Sequence, residues 1–213
     1  MAEGLVRGIG PLLDTHRLER MRSEIARFGF GKLPDAIPKS ELLAMQAEAA
    51  AILPYAKAMD SSGPGALAYR ARVGTIGPCI AQFYESPLAL GLVEELFGGR
   101  FELTRALSCI TYYAEGDHLA PHRDDPPDEC NVTILVYLEI TRPERAVDKP
   151  SGLQLQIFGD ESKPRSRPMH CIPTDTGLIL VGRGSQVWHG RPELQSGESV
   201  TALTGCYRVS ALG

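Results

Sequence analysis

The 213-residue sequence predicts an α+β fold, a double-stranded β-helix (jelly roll) with N-terminal helices packed against one of its sheets. Apolar residues recur every three or four positions in the first hundred residues, which is typical of helices. From Phe101 onward they recur every two positions, which is typical of strands. Helices followed by strands favour a layered α+β domain. We therefore expect one domain over residues 1–213, with a helical support region at 1–100 and a jelly-roll core at 101–213.

Three helices have clear start and stop signals. Asp14 can cap the first helix, which should end near Gly29-Phe30-Gly31 because glycine accommodates the left-handed turn after a helix. A second helix should begin at Ser40-Glu41 and stop before Pro54, and a third should run from Ser86-Pro87 to Gly98-Gly99. The apolar stripe of the first helix consists of Leu18, Met21, Ile25 and Phe28.

About eight strands can be counted in the second half of the chain, which is the number that a double-sheet jelly roll needs. Three of them are marked by alternation or by a short buried run. The expected strands are 107–113, 118–122, 132–139, 152–158, 169–172, 177–181, 186–190 and 199–209.

Composition and charge indicate the class of protein and the partners that it disfavours. A hydrophobic fraction of 43% and a charged fraction of 23% are those of an ordinary globular protein. The net charge of −4 gives no general attraction to phosphate backbones or anionic membranes, so nucleic acid is disfavoured as a partner. The N-terminus lacks the pattern of a signal peptide, and no apolar run is long enough to span a membrane. No residue pattern indicates an oligomeric state.

The five cysteines are scattered, without a Cys-x-x-Cys pair, and an odd number leaves at least one unpaired. This usage favours reduced thiols over a secreted disulfide framework or a zinc ribbon. We therefore expect a cytoplasmic protein. The cysteines are Cys79, Cys109, Cys130, Cys171 and Cys206.

The strongest chemical signal is His122-x-Asp124 on a predicted strand, together with His189, which lies 67 positions later on another. Residues i and i+2 of a strand project to the same side, so His122 and Asp124 can converge on one ion. Two imidazoles and one carboxylate are the donors of the facial triad that binds non-haem iron and leaves positions open for other ligands. We therefore predict a metal site at His122, Asp124 and His189.

The surrounding motif, Tyr-x-x-Gly-x-x-Leu-x-x-His-x-Asp, begins at Tyr113 and ends at Asp124. It resembles the Fe(II)- and 2-oxoglutarate-dependent oxygenases, in particular the branch of prolyl-hydroxylase-like and small-molecule hydroxylases, and the resemblance runs from about Leu107 to Leu212. It implies that His122, Asp124 and His189 are the iron ligands and catalytic residues. It also implies O2 and 2-oxoglutarate as cosubstrates, with release of succinate and CO2. Halogenating members replace the carboxylate, so an intact Asp124 favours hydroxylation.

Two other metal assignments use the same stretch. His118 lies four residues before His122, and an all-imidazole set of His118, His122 and His189 would suit structural or hydrolytic zinc. The stretch from Gly116 to Glu129 also partly resembles a cupin motif, but Val136 stands where that motif needs its closing glycine.

The cosubstrate's far carboxylate needs a buried cation, for which arginine is well suited. Prolyl-hydroxylase-like members place it about ten residues after the distal histidine, where this chain has Gly197-Glu198-Ser199. Arg208 and Ser210 resemble the Arg-x-Ser pair of other branches, and Tyr113 can add a hydroxyl, so we expect these three residues to bind the cosubstrate. The remaining candidate cations are Arg105, Arg183 and Arg191.

Gln154 and Gln156 alternate with apolar residues. One interpretation places their amides in water, and the other places them inside the roll. Such a lining would suit a polar small-molecule substrate, such as an amino acid or a natural-product intermediate. The segment before His189 is also similar to that of the alkylated-nucleic-acid demethylases, although their second terminal arginine is missing. Demethylation or hydroxylation of nucleic acid or protein is therefore a second alternative function. A non-catalytic, cupin-like binding module is the third alternative.

Overall fold

The computed structural model describes residues 14–61, 67–143 and 151–210. Within these ranges the chain forms four α-helices, twelve strands and two short 3-10 turns. The helices are α1 (Thr15–Phe28), α2 (Lys39–Ile52), α3 (Pro78–Tyr84) and α4 (Pro87–Phe97). The strands are β1 (Phe30–Leu33), β2 (Lys57–Ser61), β3 (Tyr69–Thr75), β4 (Phe101–Leu103), β5 (Cys109–Tyr113), β6 (His118–His122), β7 (Val132–Thr141), β8 (Gln154–Gly159), β9 (His170–Pro173), β10 (Ile179–Gly182), β11 (Trp188–Arg191) and β12 (Ser199–Val209).

The three predicted helices are confirmed, and so are three of their predicted end signals. The Asp14 side chain accepts a hydrogen bond from the backbone N–H of Arg17 at 2.7 Å, and Gly29 takes the left-handed conformation that ends α1. Ser86 caps α4 by accepting from the backbone N–H of Ala89. These caps satisfy backbone groups that a helix leaves unpaired at its ends.

The eight predicted strands are confirmed as β5 to β12, and they form a curled antiparallel sheet of the jelly-roll type. Hydrogen-bonded neighbours follow the order β1-β10-β7-β12-β5-β3-β6-β11-β8-β9. Strand β3 pairs with both β5 and β6, so in this order it joins a row of five strands to a row of four. The curl encloses the space between the two rows.

The first hundred residues contribute more than the helical support that the sequence predicted. Strands β1 and β3 lie in this region and belong to the same sheet as the metal-site strands. Strand β1 is only four residues long and follows directly on Gly29, so the sequence here predicts only the turn that ends the first helix. It forms because it pairs with β10, a contact between segments about 150 positions apart.

The side chains of β7 alternate between two apolar clusters. Ile134, Val136 and Leu138 pack against the helices, and Leu135 and Tyr137 face the enclosed space. A strand presents successive side chains to opposite faces, so one strand supplies both a structural core and the wall of a cavity.

Cys130 and Cys206 form a disulfide, which contradicts the expectation of reduced thiols. The two cysteines are 76 positions apart, so no local spacing pattern predicts that they pair. The pairing of β12 with β7 sets Cys206 opposite Thr133, three residues from Cys130. Cys79, Cys109 and Cys171 are free thiols.

In the described part of the chain, no helix combines the length and apolar character needed to cross a membrane. The cytoplasmic location stays a prediction.

Candidate metal centre

The structure brings His122, Asp124 and His189 together at the junction of two paired strands. His122 is the last residue of β6, Asp124 follows two positions later, and His189 lies on β11 directly opposite His122. Each residue directs one donor atom toward a common point, and these atoms lie within 4.8 Å of one another. The Oδ1 atom of Asp124 is 3.4 Å from Nε2 of His122 and 3.6 Å from Nε2 of His189. This cluster has the size of a single-ion site.

Backbone carbonyl groups orient both imidazole rings. Nδ1 of His189 is 2.9 Å from the carbonyl oxygen of Val187, and Nδ1 of His122 is 3.2 Å from that of Ala120. A carbonyl oxygen can only accept, so in each neutral ring the proton resides on Nδ1 and the lone pair on Nε2. Such hydrogen bonds fix the tautomer of a metal-binding histidine. Both Nε2 atoms are therefore prepared to bind a cation.

Two residues outside the predicted set position Asp124. The backbone N–H of Asp124 donates to the carbonyl oxygen of Gly184 at 3.0 Å, and the buried hydroxyl of Thr133 donates to Oδ2 of Asp124. A side chain at Gly184 would collide with the Asp124 carboxylate and the Thr133 hydroxyl. No local sequence signal links Gly184 or Thr133 to the metal ligands, because both contacts depend on strand pairing.

Burial and charge set the ligands in the forms that a metal needs. Burial and the neighbouring His122 lower the pKa of His189 to about 4, so this imidazole is neutral near pH 7. Burial alone would raise the pKa of the Asp124 carboxyl, but the two histidines and the Thr133 hydroxyl outweigh it and lower that pKa below its usual range. A neutral imidazole and an ionised carboxylate are metal-binding forms.

A small cavity of about 60 Å³ inside the roll adjoins the three predicted ligands. Its wall includes Tyr113, Tyr137 and Arg191. Burial raises the pKa of both tyrosines, so their hydroxyls stay protonated and can donate to an anion. Tyr113 thus lies in the same cavity as the triad, and its role as a cosubstrate ligand stays a prediction.

Arg191 is a buried cation in this cavity, with 5% of its surface exposed. Its guanidinium lies 5.3 Å from the ring centre of Tyr113 and 5.4 Å from that of Tyr137, and Nη1 donates to the carbonyl oxygen of Gly152. Within the described ranges, no carboxylate lies within 4.0 Å of it. The nearby buried carboxylate of Glu198 accepts instead from backbone N–H groups. A buried charge is costly without a partner, so the cavity favours an anionic ligand.

Arg208 and Ser210 do not line this cavity, contrary to the sequence prediction. Arg208 lies on the exposed end of β12, where it pairs with Glu102 at 2.6 Å and with Glu129 at 3.0 Å. The short strand β4 aligns Glu102 with Arg208 and so directs the guanidinium to the surface. Ser210 lies beyond the end of the strand, and its backbone N–H donates to Arg100.

The other two candidate cations also lie outside the cavity. Arg105 pairs with Glu85 on the surface, and Arg183 faces an outer groove. Of the arginines considered from the sequence, Arg191 is the one in the wall of the metal-site cavity.

His118 and the two glutamines are not part of the metal cluster. His118 lies on the same strand as His122, but four residues of extended chain separate them by about 13 Å. Leu155 lines the cavity, whereas Gln156 and His118 line a separate surface depression. The interpretation that places both amides inside the roll is therefore wrong, because the interior row of β8 is the apolar one.

Comparisons with known proteins agree with this architecture. No family model matches the chain, and no curated protein matches it by sequence. Solved structures do match. The epimerase SnoN, crystallised with Fe3+, alpha ketoglutarate and nogalamycin RO, gives a TM-score of 0.70 at 18% identity, over 92% of this chain and 85% of that one.

Two further structures match over similar lengths. A Pseudomonas putida prolyl-4-hydroxylase gives a TM-score of 0.61 at 20% identity, over 91% of this chain and 100% of that one. HygX from Streptomyces hygroscopicus, with nickel, 2-oxoglutarate and hygromycin B bound, gives 0.65 at 13% identity, over 93% and 88%. The chain therefore has the jelly-roll fold of the 2-oxoglutarate-dependent oxygenases, the superfamily that its His-x-Asp motif resembles.

Proposed function

We propose that this chain is an Fe(II)- and 2-oxoglutarate-dependent dioxygenase that hydroxylates a small molecule. The observation that carries the proposal is the convergence of two Nε2 atoms and one carboxylate oxygen within 4.8 Å, at the places that the motif assigned to them. Two imidazoles and one carboxylate on one side of an ion suit non-haem iron. Bound iron would supply oxygen activation coupled to decarboxylation of 2-oxoglutarate, and three protein donors leave coordination positions for these reactants.

The protein's own part is to hold the reactants in position. His122 and His189 present fixed lone pairs because backbone carbonyls restrain both rings. Thr133 and Gly184 fix the carboxylate of Asp124. Preorganised donors of this kind need no rearrangement when the metal binds.

We assign the cosubstrate's far carboxylate to Arg191. This guanidinium is buried in the same cavity as the triad and has two protonated tyrosine hydroxyls beside it. A carboxylate there would supply the missing counter-charge, and arginine can bind it through two parallel hydrogen bonds. Tyr113 keeps its proposed role as a hydroxyl donor, and Arg191 replaces Arg208 as the anchor.

The small-molecule substrate is a proposal that rests on two of the similar structures. SnoN was crystallised with nogalamycin RO and HygX with hygromycin B, and both ligands are small molecules. The net charge of −4 gives no comparable support to a nucleic-acid substrate.

The experiment that tests the cofactor pair is anaerobic addition of Fe(II) and then 2-oxoglutarate to the metal-free protein. We expect the weak visible charge-transfer band of an iron-chelated 2-oxo acid, and we expect His122→Ala to abolish it. Tight iron binding without the band would contradict the use of 2-oxoglutarate. Absence of iron binding would favour the non-catalytic binding module.

The anchor is tested by comparing two arginine variants with the same assay. Arg191→Gln should weaken 2-oxoglutarate binding by about 10- to 100-fold, because hydrogen bonds to a charged group contribute about 1.5–3 kcal/mol. Arg208→Gln removes only exposed ion pairs and should leave this affinity unchanged. Retained iron binding shows that Arg191→Gln is folded. A larger loss of 2-oxoglutarate affinity in Arg208→Gln than in Arg191→Gln would instead identify Arg208 as the residue that binds the far carboxylate.

A further inference from the structure

Apart from histidine, the most buried acidic and basic residues of the described chain are Asp117, Arg191 and Glu198. Asp117 pairs with Arg70 at 3.3 Å. Arg191 and Glu198 are 5% and 3% exposed, and within the described ranges neither forms an ion pair within 4.0 Å. An isolated buried charge is costly, so other contacts must satisfy these two groups.

The backbone of Gly152 links the two buried charges. Its N–H donates to Oε2 of Glu198 at 2.9 Å, and its carbonyl oxygen accepts from Nη1 of Arg191 at 3.0 Å. The backbone N–H of Gln195 donates to the same Oε2 atom, also at 2.9 Å. The carboxylate of Glu198 therefore holds Gly152 in place, and Gly152 in turn holds the guanidinium of Arg191.

Gly152 is tightly packed against a segment that is itself fixed. A Cβ atom at this position would lie 2.7 Å from the carbonyl oxygen of Glu193 and 2.7 Å from Cα of Leu194, and both are backbone atoms. The N–H of Leu194 donates to the carbonyl oxygen of Asp117, and its own carbonyl oxygen accepts from the N–H of Gly116. Neither neighbour can move aside easily, so glycine is the residue that fits this link.

The indirect link leaves the charge of Arg191 available to a ligand. A guanidinium has five N–H donors, and a carboxylate beside it commonly takes two of them. Arg208 shows this outcome on the surface, where it pairs directly with Glu102 and Glu129. Arg191 instead donates from Nη1 to a neutral carbonyl oxygen, and it lines the metal-site cavity. Its position is thus fixed without a carboxylate partner.

We propose that Glu198 is the positioning residue of the cosubstrate anchor. Through Gly152 it holds the guanidinium of Arg191 in the orientation that binds the far carboxylate of 2-oxoglutarate. This inference rests on the proposed function and adds a residue to its cosubstrate site. Glu198 does not line the cavity, so it acts through Arg191 and not on the ligand itself. A guanidinium held in advance loses less freedom when the anion binds.

The test separates charge from reach at position 198. Glu198→Gln loses the charge but keeps an oxygen that can accept from both N–H groups. Glu198→Asp keeps the charge, but its shorter side chain withdraws the oxygen from them. Each iron-loaded variant is titrated anaerobically with 2-oxoglutarate, and the visible band gives the affinity. We expect Glu198→Gln to bind like the unmodified protein and Glu198→Asp to bind about tenfold more weakly, the effect of one lost hydrogen bond to a charge.

A second probe, 2-oxopentanoate, distinguishes positioning of Arg191 from a general structural role. It has the same five-carbon chain and the same iron-chelating end, with a methyl group in place of the far carboxylate. Arg191 has no anion to bind in this probe, so Glu198→Asp should bind it as well as the unmodified protein does. Glu193→Gln, an exposed carboxylate on the same segment, is the control and should leave both affinities unchanged.

Gly152→Ala disturbs the same link from its other end. The added methyl group displaces Gly152, so this variant should also lose affinity for 2-oxoglutarate and keep that for 2-oxopentanoate. If Glu198→Asp fails to bind iron, Gly152→Ala decides by the same criteria. The inference is overturned if Glu198→Asp binds 2-oxoglutarate normally, if Glu198→Gln is weakened as much, or if both probes are weakened equally. Failure of the unmodified iron-loaded protein to bind 2-oxoglutarate would refute the proposed function, and this inference with it.

Discussion

The two faces of β7 differ in what they bury. On one face, Ile134, Val136 and Leu138 pack against helices in a core of apolar side chains. On the other, Thr133 contacts a predicted metal ligand, and Leu135 and Tyr137 line the cavity that also contains Arg191. The step from one face to the other is a single residue, because successive side chains of a strand point in opposite directions.

Buried tyrosine hydroxyls on the helix-facing side have hydrogen-bond partners within the protein. Two buried tyrosine hydroxyls there donate to backbone carbonyl oxygens: Tyr112 to Ala49 at 2.6 Å and Tyr207 to Tyr84 at 2.7 Å. On the inner side, Arg191 has no carboxylate partner among the described residues, and His122, Asp124 and His189 form a cluster that could hold a cation. The outer, helix-facing side of β7 therefore supports stability, whereas the inner side keeps polar groups that a ligand can pair with.

The largest effect is expected from a large-to-small substitution in the apolar core on the helix-facing side of β7. Leu203 lies on β12 with 0% of its surface exposed, so Leu203→Ala should lower the free energy of unfolding by about 2–5 kcal/mol through lost burial and a residual cavity. Urea denaturation measures this change. Iron affinity, measured on the same variant under native conditions, should be unchanged. A tenfold loss of iron affinity would show that the two faces are not independent.

A methyl group added at Gly184 should weaken metal binding, because it displaces Asp124 on the inner side of the sheet. Gly184→Ala would collide with the carboxylate of Asp124 and the hydroxyl of Thr133, so Asp124 must move out of the triad. We expect iron affinity to fall about 100-fold, the upper end for residues that support metal ligands. Ser185→Ala, one residue along, is the control and should bind iron normally. Equal affinities of the two variants would contradict the geometry described for Asp124.

Removing the Thr133 hydroxyl tests whether its hydrogen bond positions Asp124, without adding volume to the site. Thr133→Val should weaken iron binding about tenfold, because Asp124 loses the hydrogen bond at Oδ2. Thr174→Val is a matched control, since Thr174 is equally buried and its hydroxyl has no hydrogen-bond partner. The control should keep full affinity and lose no stability. If both variants weaken iron binding, the effect comes from packing and not from the hydrogen bond.

The smallest effect is expected for one hydrogen bond on the outer face. Tyr207→Phe removes the hydroxyl that donates to Tyr84 and should cost about 1 kcal/mol of stability, with unchanged iron affinity. Thermal unfolding measures the loss. An effect on the metal site from this variant would argue against the separation of the two faces.

Some features could be predicted from the sequence because their signals are local. Asp14 and Ser86 cap their helices through contacts three residues away, and eight strands follow from their period of two. The His-x-Asp motif is local too, since its two side chains share one side of a strand. His189 has no local signal of this kind; its residue type on a late predicted strand made it a candidate ligand, and the resemblance to a known family supported it.

What the sequence determined by itself, then, is the layered fold and the three residues that converge on the candidate metal centre. The tertiary structure alone decided that Arg191 faces the cavity, that Arg208 pairs with Glu102, and that Cys130 meets Cys206. It also decided that Thr133 and Gly184 support Asp124 and that Glu198 and Arg191 contact the same glycine. The physical reason is that periodicity and capping act over a few residues, whereas the partner of a given side chain depends on which strands pair and in which register.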